Sequence, residues 1–196
     1  MAKQYVMTLT AANRVGILAA VSNAIAELGG DVQEVSVTVM QGFFTIILCA
    51  DFPDHRESRV IIDHIHDIGR PYELEVCLKD PATQGVETDS ETPRTRHFLK
   101  VQGKNQPGMM RQIAAILAQE DVDIADFYAH RKEDGRFEMS LEICVPQGVS
   151  TNGLIEGIET IDASVSAALE DHADWLNSHP PHSLRTGSLD LDRDVS

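Results

Sequence analysis

An internal repeat constrains this 196-residue chain more than any other feature. Gly16 in "NRVGIL" and Gly108 in "NQPGMM" stand 92 residues apart, and the flanking residues match in phase as well as in kind. Met7 and Leu9 fall on Leu99 and Val101, and Thr8 and Thr10 on Lys100 and Gln102, an alternation that buries one face of a β-strand. After each glycine the period changes. Leu18, Val21 and Ile25 are matched by Met110, Ile113 and Leu117, the stripe of a helix laid on a sheet. Val32, Val35 and Val37 match Ile124, Phe127 and Ala129 in a second strand, and "MQGFF" and "KEDGRF" supply hairpin turns. The second turn is one residue longer, so the offset becomes 93. Phe44, Ile46 and Leu48 then fall on Phe137, Met139 and Leu141. A second helical stripe, Ile61, Ile65 and Ile68, falls on Leu154, Ile158 and Ile161, and a last strand, Tyr72, Leu74 and Val76, on Val165, Ala167 and Leu169.

Six elements in the order strand, helix, strand, strand, helix, strand predict an α+β fold of two ferredoxin-like (βαββαβ) units. Each is a four-stranded antiparallel sheet with both helices on one face. The boundaries predicted are 1–80 for the first domain, 81–95 for a linker, 96–175 for the second domain and 176–196 for a C-terminal tail. The linker stretch "DPATQGVETDSETPRT" is rich in Pro, Thr and acid without periodicity, and Trp175 is placed to seal the end of the second core. Units of about 80 residues bury only ~60% of their unfolded surface, so a partner surface is expected.

Charge excludes some functions. Sixteen Lys and Arg against 31 Asp and Glu give a net −15, and the densest basic run, "HRKEDGR", is broken by Glu133 and Asp134. Direct nucleic-acid contact and attachment to an anionic membrane are both disfavoured. Phe98, Lys100, Tyr128 and His130 alternate outward as in an RNA-binding sheet, yet Asp126, Glu138 and Glu142 share that face. No apolar run is long enough to span a bilayer, and "MAKQYVMTLTAANR" lacks the pattern of a signal peptide, so a cytoplasmic location is expected. Cys49, Cys77 and Cys144 form no metal or disulfide pattern. Asp63, His66 and Asp67 share a helical face, which a solvated surface explains better than a metal. No nucleophile motif, phosphate loop or zinc-hydrolase signature is present, so no enzyme, no catalytic residue and no cofactor is expected.

The repeated turn has chemistry of its own. A strand that ends in a glycine turn and opens a helix presents unpaired N–H groups and the positive end of the helix dipole, a setting for a carboxylate. Asn13 or Asn105 adds an amide that can donate and accept. Asp31 and Asp123, opening the second strand, are expected near these turns, where either could pair with an ammonium group. Each residue also has a scaffolding use, Asn as a helix cap and Gly as a turn former.

"NRVGILAAVSNAIAELGGDVQEVSV" and "NQPGMMRQIAAILAQEDVDIADFYA" resemble the ACT domain, whose pattern runs Asp or Asn, usually Arg-Pro-Gly, an aliphatic pair, a helix, then Gly-x-Asn/Asp-Ile. The resemblance implies a regulatory protein that binds an amino acid or other small effector, and a tandem pair of this length is similar to the glycine cleavage repressor family. Carried over by position, the first effector site is Asn13, Arg14, Val15, Gly16, Ile17 and Leu18 with Asp31 and Val32. The second is Asn105, Gln106, Pro107, Gly108, Met109 and Met110 with Asp123 and Ile124. Val15 stands where the family has Pro, Gln106 where it has Arg, and the Met pair where it has smaller aliphatics, so the two corners are not equivalent. The reading is a homodimeric sensor that acts through a protein partner, with no nucleic acid or membrane. The competing reading is a ligand-free assembly module.

Overall fold

The computed structural model describes residues 2–84 and 93–171. Trp175, the predicted tail and part of the predicted linker lie outside them. The chain divides into two units, 1–88 and 89–196.

In the first unit β1 (Ala2–Ala12) leads through α1 (Ile17–Glu27), β2 (Asp31–Met40), β3 (Phe43–Pro53) and α2 (Ser58–Gly69) to β4 (Glu75–Lys79), followed by the short helix α3 (Pro81–Gln84). The second unit repeats the order with β5 (Arg94–Lys104), α4 (Met109–Gln119), β6 (Asp123–Arg131), β7 (Arg136–Pro146), α5 (Thr151–Glu159) and β8 (Ser166–Asp171). The sheets run β2-β3-β1-β4 and β6-β7-β5-β8, every pairing antiparallel.

Tyr5, Met7, Leu9 and Ala11 of β1, with Phe44, Ile46, Leu48, Ala50 and Phe52 of β3, form the buried sheet face under the helices. Leu99, Val101, Phe137, Met139, Leu141 and Ile143 do the same in the second unit. The hairpins differ by the one residue the repeat requires. Gln41 and Gly42 both take positive φ, 52° and 80°, which matches a two-residue loop to the strand twist. The longer loop places Gly135 at φ 80°, and Asp134 accepts the Arg136 amide at 3.0 Å.

The helical stripe is rotated from the predicted one by a residue. Ile17, Val21 and Ile25 are the buried row, with Leu18 at 47% exposure against 1% for Ile17. Likewise Met109 is buried and Met110 is 51% exposed. Both helices begin at a left-handed glycine, Gly16 or Gly108, so the residue immediately after it drops into the core and the next turns outward. The last strand of the first unit also starts later than its alternation suggests. Arg70–Tyr72 form a 3-10 turn, and the strand faces the core through Val76 and Leu78.

The helix pairs are braced unequally. His64 Nε2 and a Glu27 carboxylate oxygen lie 2.9 Å apart between α2 and α1. The corresponding residues of the second unit are Gly157 and Gln119, and with Gly153 in place of Val60 they line a cleft of about 380 Å³ between α4 and α5.

Ile17→Ala is expected to cost about 2–5 kcal/mol in chemical denaturation, and Leu18→Ala to stay within about 0.5 kcal/mol. Equal costs would contradict the rotated stripe.

Candidate functional site

Each strand-to-helix turn is held against the hairpin beside it. The Asn13 backbone N–H donates to the Gly42 carbonyl at 2.8 Å, and the Asn105 backbone N–H to the Gly135 carbonyl at 3.1 Å. Neither α1 nor α4 has a side-chain cap, whereas Ser150 Oγ caps α5 by accepting from the Gly153 amide at 3.1 Å. Asn13 and Asn105 therefore do not serve as caps, and among the described residues nothing holds their side-chain amides. The first helical bond of α4 runs from the Gln112 amide to the Gly108 carbonyl, 3.1 Å, so the amides of Met110 and Arg111 have no helical acceptor. Gly108 takes φ 84°, a conformation that costs a residue with a side chain free energy.

Beside the second turn is an open cleft of about 240 Å³. Asn105, Gln106, Gly108 and Met110 line one side, His130 and Arg131 the other, over a floor that includes Met109, Phe137 and Met139. An apolar floor with a few convergent polar groups suits a small ligand. Arg111 adds a second guanidinium, its Nε 3.9 Å from where a Cβ on Gly108 would stand. Despite the net −15, this corner carries two arginines beside uncapped helix N–H groups. In the first unit the matching positions are Ala19 and Val39. There the corner is apolar instead: Val15, Leu18, Val39, Met40 and Phe43 are all exposed.

The second residue of each turn has the same structural task. Arg14 Nη1 donates to the Pro71 carbonyl at 2.9 Å, and Gln106 Nε2 to Asp162 Oδ2 at 2.9 Å, so both tie the turn to the loop before the last strand. In the first unit the Tyr72 hydroxyl also packs behind Gly16, 2.7 Å from where a Cβ would stand. Asp162 is pulled down to about 2, chiefly by the Ser164 hydroxyl, then by the Ser164 amide and Gln106. No spacing motif pointed to Asp162, Arg111 or Arg131. Comparing the two halves for unlike charges could have found the arginines.

One predicted juxtaposition is absent within a unit. Asp31 pairs with Asp51, while Ala12, next to Asn13, pairs with Phe43, so the two lie at opposite ends of β3, roughly 27 Å apart along the strand. Asp123 and Ile124 are equally remote from Asn105, since Asp123 pairs with Cys144 and Lys104 with Arg136. The reason is topological. β1 and β2 both pair antiparallel with β3 and so run parallel, and α1 returns the chain to the far end before β2 begins. Asp31 accepts from Gln33 Nε2 at 3.2 Å, and Asp123 from the Ile124 amide at 2.9 Å.

The outward sheet face of the second unit pairs its cations with acids: Arg96 with Glu142 at 2.6 Å, Lys100 with Glu170 at 3.3 Å, and Lys132 with Glu138 at 2.8 Å. Asp67 bonds Arg70 at 2.8 Å and Asp63 lies 3.7 Å from Arg59, and among the described residues no acidic, His or Cys cluster could hold a metal. No helix among them is long and apolar enough to cross a membrane.

A model of the ACT domain matches residues 97–166, spanning β5 to the start of β8. A UPF0237 protein of Corynebacterium diphtheriae is 32% identical over 78 residues, covering 39% of this chain and 88% of that protein. The chain belongs to the ACT domain family. A UPF0237 protein of Corynebacterium glutamicum is 40% identical over 73 residues, 37% of this chain and 79% of its own length. Two solved structures share the fold at 15% identity. One, an unknown protein from Galdieria sulphuraria, has a TM-score of 0.73 over 87% of this chain and 99% of its own. The other, a candidate glycine cleavage system transcriptional repressor, scores 0.60 over 88% and 99%. The tandem ACT repeat is a regulatory fold.

Asp162 is held below the ordinary carboxylate value of 3.8, so the contacts of its ionised form are complete above that pH and are lost as pH falls through about 2. Its carboxyl carbon resonance is expected to titrate near 2, and Ser164→Ala to raise that midpoint more than Gln106→Ala. A wild-type midpoint near 3.8 would contradict the network.

Proposed function

We propose that this protein is a regulatory effector-binding protein in which the second corner takes an amino acid and the first unit carries the association surface. The observation that carries the reading is a cleft lined by Arg131 and Asn105, with the uncapped amides of α4 at its turn and Arg111 packed beside Gly108. A carboxylate fits the arginines and the helix N-terminus. An aliphatic or thioether side chain fits the floor of Met109, Phe137 and Met139. Effector binding stabilises one arrangement and so alters what a protein partner meets. The role in view is control of amino acid metabolism in the cytoplasm, transcriptional control of glycine metabolism included, exerted through that partner and not by contact with DNA. The acid-paired face and the net charge support the last point.

The assembly reading accounts for the first unit. β2 is an edge strand along which Val35, Val37, Val39 and Met40 are between 41% and 58% exposed, and Phe43, opening β3 beside its end, is 60% exposed. An apolar edge of this length favours pairing with another strand. Antiparallel pairing of β2 with its counterpart in a second copy brings the Asp31–Val32 end of one chain to the Asn13 corner of the other. The same operation on β6 brings Asp123 and Ile124 to a neighbour's Asn105 corner. Both groups of family positions thereby gain a way to meet.

A melting screen against the amino acids tests the ligand. At 100 times its Kd a binder adds about 2.7 kcal/mol of stability. Arg111→Ala and Asn105→Ala are expected to abolish the response and Asn13→Ala to leave it, with all three variants folded. No response from any amino acid leaves assembly as the function. For association, Val37→Lys is expected to turn a dimer into a monomer in analytical ultracentrifugation, and an unchanged mass removes β2 from the interface.

A further inference from the structure

The second corner owes its polarity to a chain of hydrogen bonds that can run in one direction only. The Lys104 backbone amide donates to Ser164 Oγ at 3.2 Å, which leaves the Ser164 hydroxyl proton for Asp162 Oδ1, where the Ser164 amide also donates at 2.8 Å. Oδ2 takes Gln106 Nε2 at 2.9 Å. A carboxylate accepts and never donates, so the nitrogen end of the Gln106 amide must face Asp162. Gln106 is among the residues that line the cleft and Asp162 is not, and with Nε2 committed to Asp162 the free end of the amide is the carbonyl Oε1, which no described residue engages.

We infer that Asp162 is a specificity-determining residue, fixing the Gln106 amide so that the second corner prefers a ligand with a donor, an α-ammonium group, over the matching 2-oxo acid. The inference rests on the amino-acid reading of that cleft. Arg111, Arg131 and the α4 amides meet the carboxylate that both ligands share, and Gln106 Oε1 meets only the group that differs. A 2-oxo acid puts a carbonyl oxygen against Oε1, two acceptors with no proton between them. In the neutral range Asp162 is the carboxylate, as any aspartate of ordinary pKa is, and the hydrogen bonds from Ser164 and Gln106 favour that form further. The first unit has no such device, because Arg14 occupies the equivalent position and is tied to the Pro71 carbonyl.

Asp162→Asn tests the inference with little change of shape. The Ser164 amide can only donate, so it holds the Asn oxygen; the Asn NH2 then faces Gln106, whose amide must rotate and turn its own NH2 into the cleft. For the amino acid that best stabilises the wild type, affinity is expected to fall roughly tenfold, and the matching 2-oxo acid to become the tighter ligand. In Asp162→Ala the amide is free to rotate, and the preference is expected to shrink towards unity without inverting. An Asp162→Asn variant that keeps the wild-type ratio overturns the inference. NMR of the ligand-free protein separates the two failures. Cross-relaxation from the Gln106 NH2 is expected to reach Ser164 in the wild type and to leave it in Asp162→Asn. If that pattern does not change, the inference is wrong whatever the protein binds. If it changes as expected but no amino acid binds the wild type, the amino-acid reading fails first and the specificity role falls with it.

Discussion

The eleven-residue antiparallel pairing of β1 with β3, repeated by β5 with β7, is the constraint on which the rest of the molecule depends. Each pair supplies the alternating apolar face that the helices cover, and each sets the ends of the sheet. Once β2 joins the other side of β3, it has to run parallel to β1 and leave its own outer edge unpaired. The turn at Gly16 or Gly108 then lies beside the hairpin, and the start of β2 or β6 lies at the far end. A corner with open helix amides and a long bare edge follow together from one pairing pattern.

Duplication gave the chain two copies of that geometry, and substitution gave them different surfaces. Arg111 and Arg131 stand where the first unit has Ala19 and Val39, and Gln106 where it has Arg14. Val15, Met40 and Phe43 make the first corner apolar and exposed. The central core positions, by contrast, stay apolar in both halves: Leu9 with Val101, Ile46 with Met139, Ile65 with Ile158. The cores share one solution to packing, and the corners do not share one chemistry.

The fold was largely legible because burial on a sheet face has a period that a sequence displays. Phe44, Ile46 and Leu48 announced β3, and the extra residue at Glu133–Gly135 announced the longer hairpin. Leu18 misled because a helix stripe of Leu18, Val21 and Ile25 differs from Ile17, Val21 and Ile25 only at its first residue. The left-handed cap at Gly16, which decides between them, leaves no periodic signal. Asp31 misled for another reason: strand direction depends on which strands pair, and the order βαββαβ does not by itself state that β1 and β2 both pair with β3. The Asp162–Ser164–Gln106 network was invisible because its members are 56 residues apart at the widest hydrogen bond and no motif links them.

The two glycines of α5 have a consequence beyond the cleft they open. Gly157 costs a helix interior roughly 1 kcal/mol relative to Ala, and Gly153 leaves the first turn without a side chain, in a helix of nine residues that also lacks the cross-helix bond His64 makes in the first unit. Local opening in native proteins begins where such support is thin. The loop that follows α5 carries Asp162 and Ser164, and through them the orientation of Gln106. The Gln106 amide of the second corner is thus held by a loop that hangs from the helix with the thinner support, so whatever steadies α5 also steadies the side chain that Asp162 orients.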